Sequence, residues 1–234
     1  MSVELTTLST TRLELQRVAT HILARRRHAV CGRFGLRATP GGIGTPAFGP
    51  PDRLEALRIS GSTLLHEVGA ELRVVPINGT TLAALAAAVD VDLDRAFTVG
   101  GDTPEVGDVD GPIQLDPDAV VELADWYDLG WRALDIVGQD ATAPAPIQLW
   151  PEHFDASCLV SIGPGPDHRC DVGVSPGDGH HDEPYLYVGP WVTDRPGDEA
   201  YWNASFGALL PRSAVASEHD AVRFYEDGLS RFLR

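Results

Sequence analysis

The chain reads as an α+β protein with a mainly antiparallel sheet flanked by long helices. Three observations predict it. Apolar residues recur at helical spacing near the start, in the middle and at the end of the chain, as in Val120, Leu123, Ala124, Tyr127, Trp131 and Leu134. Short β-like runs cluster between those helices without the alternation of a parallel βαβ sheet. The strands of the second half are joined by links too short for a parallel crossover.

The first element expected is a helix over residues 10–29, where Leu13, Leu15, Val18, Ile22 and Leu23 alternate with Arg12, Glu14, Arg17 and Arg25. Thr10 or Thr11 would cap it. The run Arg25-Arg26-Arg27-His28 reads as its end, where cations oppose the macrodipole. Strands are expected at 33–39, 53–60, 63–67 and 71–77, the first two separated by a turn-rich loop of Gly and Pro at 40–51. Thr80 or Thr81 would cap an Ala-rich helix reaching Val89.

An acidic segment rich in Gly, Pro and Asp follows at 98–115 and reads as a linker or mobile loop. Asp116-Pro117 then has the form of an N-cap followed by an N1 proline, opening a helix to Val137 whose opposite face carries Glu122, Asp125 and Arg132. Further strands are expected at 147–150, 154–162, 170–174, 185–188 and 201–206. A last helix at 219–233 would bury Val222, Phe224 or Tyr225, Leu229 and Phe232. The chain thus reads as one α+β domain, 1–234, divisible into halves 1–97 and 116–234 of similar helix–strands–helix order.

With 34 acidic against 18 basic residues the formal charge is −16, and every basic residue is arginine. Arginine in place of lysine, with abundant Ala, Asp and Gly, is the usual mark of a GC-rich genome, and a halophilic origin would also give an acidic, lysine-poor chain. The charge counts against nucleic acid, whose binding draws on Lys/Arg clusters. No apolar run approaches the ~20 residues needed to cross a bilayer. The N-terminus has neither the basic start nor the apolar block of a signal peptide. The expectation is a cytoplasmic protein without membrane or nucleic-acid partners. Cys31, Cys158 and Cys170 show no metal spacing, and Cys158 falls on the apolar phase of its strand.

The segments 150–155 and 175–191 hold three of the eight histidines. The link 163–169 is short and turn-rich, so the strands it joins should pair antiparallel. The start of the first would then lie beside the end of the second, setting His153, Asp155, Asp178, His180, His181, Asp182 and Glu183 on one rim. Loops over a sheet end tolerate polar groups that the sheet holds in place. Trp150, Phe154, Tyr185, Tyr187 and Trp191 are the candidate ligand-binding floor, with Tyr201 and Trp202 beside them; the same rings would also serve to cover the sheet.

Four chemistries suit this rim. His153-x-Asp155 and His181-x-Glu183 are i, i+2 pairs whose members point the same way in extended chain, the donor set of a divalent Zn²⁺, Mn²⁺ or Fe²⁺ site. The same residues would serve general acid–base catalysis without metal, as a His-dependent hydrolase. Gly173-Val-Ser175-Pro-Gly177 matches the nucleophile elbow in form, but Pro176 has no N–H for an oxyanion hole and no helix follows. The reading favoured is a module binding a small apolar or cyclic molecule or a protein partner, with a metal-assisted or His-dependent hydrolase as the alternative.

Trp150-Pro-Glu-His-Phe-Asp155, Ser175-Pro-Gly, Glu183-Pro-Tyr-Leu-Tyr-Val-Gly-Pro-Trp191 and the closing Phe224-Tyr225 resemble an uncharacterised bacterial family, the domain of unknown function numbered 5996. The N-terminal helix followed by Phe34-Gly-Leu-Arg-Ala-Thr39 fits the same pattern. The resemblance implies a shared fold and attaches no activity.

Overall fold

Alternate residues of the segment from 55 to 68 are buried, and two-residue turns at 61–62 and 69–70 join the runs on either side, so this stretch folds as a meander. The computed structural model describes residues 3–139, 145–161, 163, 165, 168–192, 195 and 200–232, without the side chain of Phe232. Residue 162, positions 164, 166 and 167 of the expected hairpin link, and Leu233 lie outside the described residues. The fold is α+β, with two antiparallel five-stranded sheets.

The first sheet runs in sequence order: β1 (Arg37–Thr39), β2 (Gly42–Gly44), β3 (Glu55–Ser60), β4 (Thr63–Val68) and β5 (Glu71–Pro76). β2 lies inside the expected turn-rich loop. A Cβ at Gly42 would meet the Ile59 carbonyl oxygen at 2.2 Å, so this strand approaches β3 only because it lacks a side chain there. The glycines that read as a loop signal are what the close pairing requires.

The first helix starts earlier than expected, at Leu5, with Glu4 rather than Thr10 or Thr11 at its cap. It comprises α1 (Leu5–Val18), a fully buried π-helical stretch (Ala19–Ala24) and α2 (Arg25–Cys31). The next helix, α3 (Leu82–Ala88), has the cap the sequence predicts: Thr81 Oγ1 accepts from the Ala84 N–H at 3.1 Å. The acidic segment 98–115 is held at its far end, where Asn78 bonds both backbone groups of Leu115 and Ile113 is buried. Asp116 caps α4 (Pro117–Gln139) through the Ala119 N–H.

The second sheet has the order β10–β9–β8–β7–β6, from β6 (Gln148–Trp150), β7 (Asp155–Ser161), β8 (Arg169–Ser175), β9 (Tyr185–Pro190) and β10 (Ala208–Pro211). β7 and β8 pair antiparallel from Ala156↔Val174 to Ser161↔Arg169, as the short link predicts. The strand expected at 201–206 is displaced. That stretch forms turns, because the Asn203 side chain takes both backbone groups of Leu209 and the Ala204–Gly207 bridge closes a tight loop. β-Propensity of the aromatic rings gave way to local amide bonding.

The chain divides into two compact units, 1–125 with 149–154, and 126–148 with 155–234. In the second, α4 and α5 (Glu218–Phe232) cover one face of the sheet. A Cβ on Gly130 or Gly228 would crowd Val174 or Val188, so both helices pack close on small residues. Ala156, Cys158, Val160, Val172, Val174, Leu186 and Val188 fill that face. All three cysteines are free; burial pushes the Cys158 thiol up to about 11.

Candidate functional site

Because side chains alternate along a strand and cross-strand partners share a face, the other face of the second sheet is fixed by the register. Ser157, Gly173 and Tyr187 lie in one row, and Ser175 and Tyr185 in the next, with Asp155 two residues before Ser157. This face is polar and aromatic where its opposite is aliphatic. A Cβ at Gly173 would fall 2.3 Å from the Tyr187 ring, so the phenol lies flat over the glycine. Its hydroxyl donates to Asp155 Oδ2. Burial raises the Tyr187 phenol well above its ordinary value, and the Asp155 charge adds to the rise.

The loop after β8 is built around Asp178. Its Oδ1 accepts the N–H groups of His180 and His181, the His181 carbonyl accepts from the Asp178 N–H, and its Oδ2 accepts the Tyr185 hydroxyl at 2.6 Å. Such an Asx-type closure is what Asp offers a short loop. It sets the His181 ring edge-on to Tyr185, centroids 5.8 Å apart, and Phe206 stacks on Tyr185 at 6.2 Å and meets Tyr187 edge-on at 6.1 Å. The His181 Nε2 is buried and has no hydrogen-bond partner among the described residues. A buried polar atom of this kind is rare, and a bound group is one way to satisfy it.

Glu183 and Trp191 take other places in the second unit. Glu183 Oε1 accepts from the Ser213 N–H. Trp191 lies beyond the far end of β9, about 20 Å along the strand from Tyr185. It is 52% exposed, donates its indole N–H to Asp171 at 2.8 Å and carries the Arg169 guanidinium over its ring. Ser175 ends β8 and its Oγ accepts the Gly177 N–H, with a loop and not a helix following.

Trp150, His153 and Phe154 belong to the first unit. The Phe154 N–H closes a turn on the Trp150 carbonyl, and Phe154 is buried with a left-handed φ of 58°. That conformation is an outlier for a bulky residue and stores strain at the start of β7. Trp150 lies 6.3 Å from the Phe34 ring. His153 Nδ1 stands 3.9 Å from Asp102 Oδ2, both exposed. The neighbouring Glu152 has a buried Oε2 without a partner among the described residues. Burial pushes its carboxyl above the ordinary range, with Asp102 adding against the opposing His153. Among the described residues, no three His, Cys, Asp or Glu side chains form a set able to hold a metal.

A buried charged cluster of the first unit is not marked by any sequence motif. Glu55, on β3, accepts two bonds from the Arg26 guanidinium (3.0 and 2.9 Å) and lies 3.2 Å from His66 Nε2 on β4. Burial alone would raise the Glu55 carboxyl, but the Arg26 and His66 hydrogen bonds outweigh it and hold the group below its ordinary value. The arginine run at 25–27 is therefore engaged rather than solvated: Arg25 donates to the carbonyls of Leu93 and Arg95, Arg27 to that of Gly35. The available signal was the alternation Glu55-x-Leu57-x-Ile59, which places an acid on the buried face of its strand.

No family model matches the chain, and neither a curated protein nor a solved structure matches it.

Proposed function

We propose that the protein is a binding module that takes a small cyclic molecule over the polar face of its second sheet, at the end formed by Asp155, Asp178, His181, Tyr185, Tyr187 and Phe206. The observation that carries this reading is the buried Nε2 of His181, without a hydrogen-bond partner among the described residues, beside a group of aromatic rings. The rings supply the flat apolar contact that ligand sites use, and His181 supplies one directional polar contact. Tyr185 and Tyr187 are each tied to a carboxylate, so the surface is ordered before any ligand arrives. A thermal-shift screen of small cyclic compounds tests it. At least one compound should raise the melting temperature of the wild type, and the rise should vanish in His181→Ala. A library without a stabilising compound, or equal stabilisation of the variant, refutes the reading.

The second reading, a His-dependent hydrolase, draws on Glu152, His153 and Asp102 in the first unit, where a carboxyl with a raised pKa adjoins an exposed imidazole. Hydrolysis of p-nitrophenyl acetate that depends on His153 and on the protonation of Glu152 would support it. Equal rates in the wild type and His153→Ala would remove it.

A further inference from the structure

The buried face of the first sheet changes character at one corner. Leu57, Ile59 and Leu64 are fully buried on it, but the same face continues into Glu55, His66 and Arg73, since Leu57 and Arg73 are the cross-strand neighbours of His66. At that corner a cleft of about 220 Å³ opens, lined by Arg26, Arg53, His66, Glu71, Arg73 and Asp90, with Val68 and Leu72 as its aliphatic part.

We infer that this cleft is a binding site for a small oxyanion, the carboxylate or phosphate group of a small molecule. Three of the chain's 18 cationic side chains meet there, in a protein whose net charge is −16. Two of them are held in place by the protein's own carbonyls: Arg26 donates to Asp90 O at 3.2 Å, where Asp90 has a left-handed φ of 53°, and Arg73 donates to Ala88 O. The third, Arg53, has no side-chain hydrogen bond or ion pair among the described residues. Glu71 and Asp90 also line the cleft, yet neither carboxylate forms an ion pair with any of the three guanidiniums among the described residues. Glu55 pairs with Arg26 and takes up His66 Nε2, so the anchoring of the cleft's inner wall does not use Arg53 or Arg73. Planar guanidiniums pair with carboxylate and phosphate oxygens in a forked geometry, and pre-ordered ones lose less freedom on doing so.

Calorimetric titration of the full chain with sodium phosphate and with sodium butyrate, at constant ionic strength set by chloride, tests this. At least one anion should bind saturably with a millimolar or lower Kd. The Arg53→Ala/Arg73→Ala double variant should weaken it at least tenfold, with folding confirmed by its melting curve. Arg58→Ala, which removes a guanidinium paired with Glu67 outside the cleft, should leave binding unchanged. Binding of phosphate alone assigns the site to phosphate groups, and tighter binding of butyrate assigns it to carboxylates whose chain lies on Val68 and Leu72. Heat no greater than for chloride with either anion, or undiminished binding by the double variant, overturns the inference.

Discussion

The two sheets provide for their buried polar side chains by opposite means. On the first, Glu55 is ionised and its charge is met by Arg26 and His66. On the second, Tyr185 and Tyr187 keep their protons and donate hydrogen bonds to Asp178 and Asp155. A buried polar group needs a partner in either case. The difference is that the first solution depends on a group staying charged, and the second on groups staying neutral. It follows that removing one partner costs most where a charge is left behind.

Glu55→Gln is expected to have the largest effect. It leaves a mostly buried guanidinium without its counter-charge, which costs about 3–5 kcal/mol in such settings. Denaturant unfolding of the full chain measures it, and a loss below about 1 kcal/mol would show the ion pair to be dispensable. Gly173→Ala should come next, at about 3 kcal/mol, because its Cβ displaces the Tyr187 ring from the sheet. Tyr187→Phe leaves the ring in place and removes the hydroxyl that donates to Asp155, for about 2 kcal/mol. Should Tyr187→Phe cost as much as Gly173→Ala, the hydroxyl and not the packing holds this face together.

The pH dependence of the two sheets should differ in sign. Glu55 has a folded pKa below its ordinary value of 4.5, so its contribution is complete above that value and is lost as pH falls through the lowered pKa. The stability gap between wild type and Glu55→Gln should therefore close in acid. The Tyr187 phenol has a folded pKa above its ordinary value of 10, so its contribution is complete below pH 10 and is lost as pH rises. Unfolding midpoints measured across both limbs decide this; a gap that is constant in acid would break the assignment for Glu55. Trp191→Phe is the smallest change expected, within about 0.5 kcal/mol, since the ring is half exposed and lies at the other end of β9. It should also leave ligand-induced stabilisation untouched.

The sequence shows where strands pair more readily than what their side chains meet. The link at 163–169 was enough to predict the β7–β8 hairpin, and Asp116-Pro117 enough to place the start of α4. Period-two reasoning also puts Asp155 and Ser157 on one face. What joins Asp155 to Tyr187 is the β8–β9 register, set by the Asp178 turn, and a one-residue slip would have turned that face over. Phe206 reached the same rings from a turn and not from the strand expected there, because Asn203 captures the backbone of Leu209. Local patterning sees Arg26 as a helix-end cation, because its partner Glu55 is 29 residues away in the chain.

The central claim is that the His181 end of the second sheet receives a ligand. It is tested most directly by the nitrogen chemical shifts of the His181 ring, recorded on labelled full chain before and after addition of a stabilising cyclic compound from the screen. A shift of the Nε2 resonance, with those of the solvent-exposed His153 ring unmoved, is the result predicted. An Nε2 resonance that stays fixed while the compound still stabilises the protein would contradict it and place the ligand elsewhere.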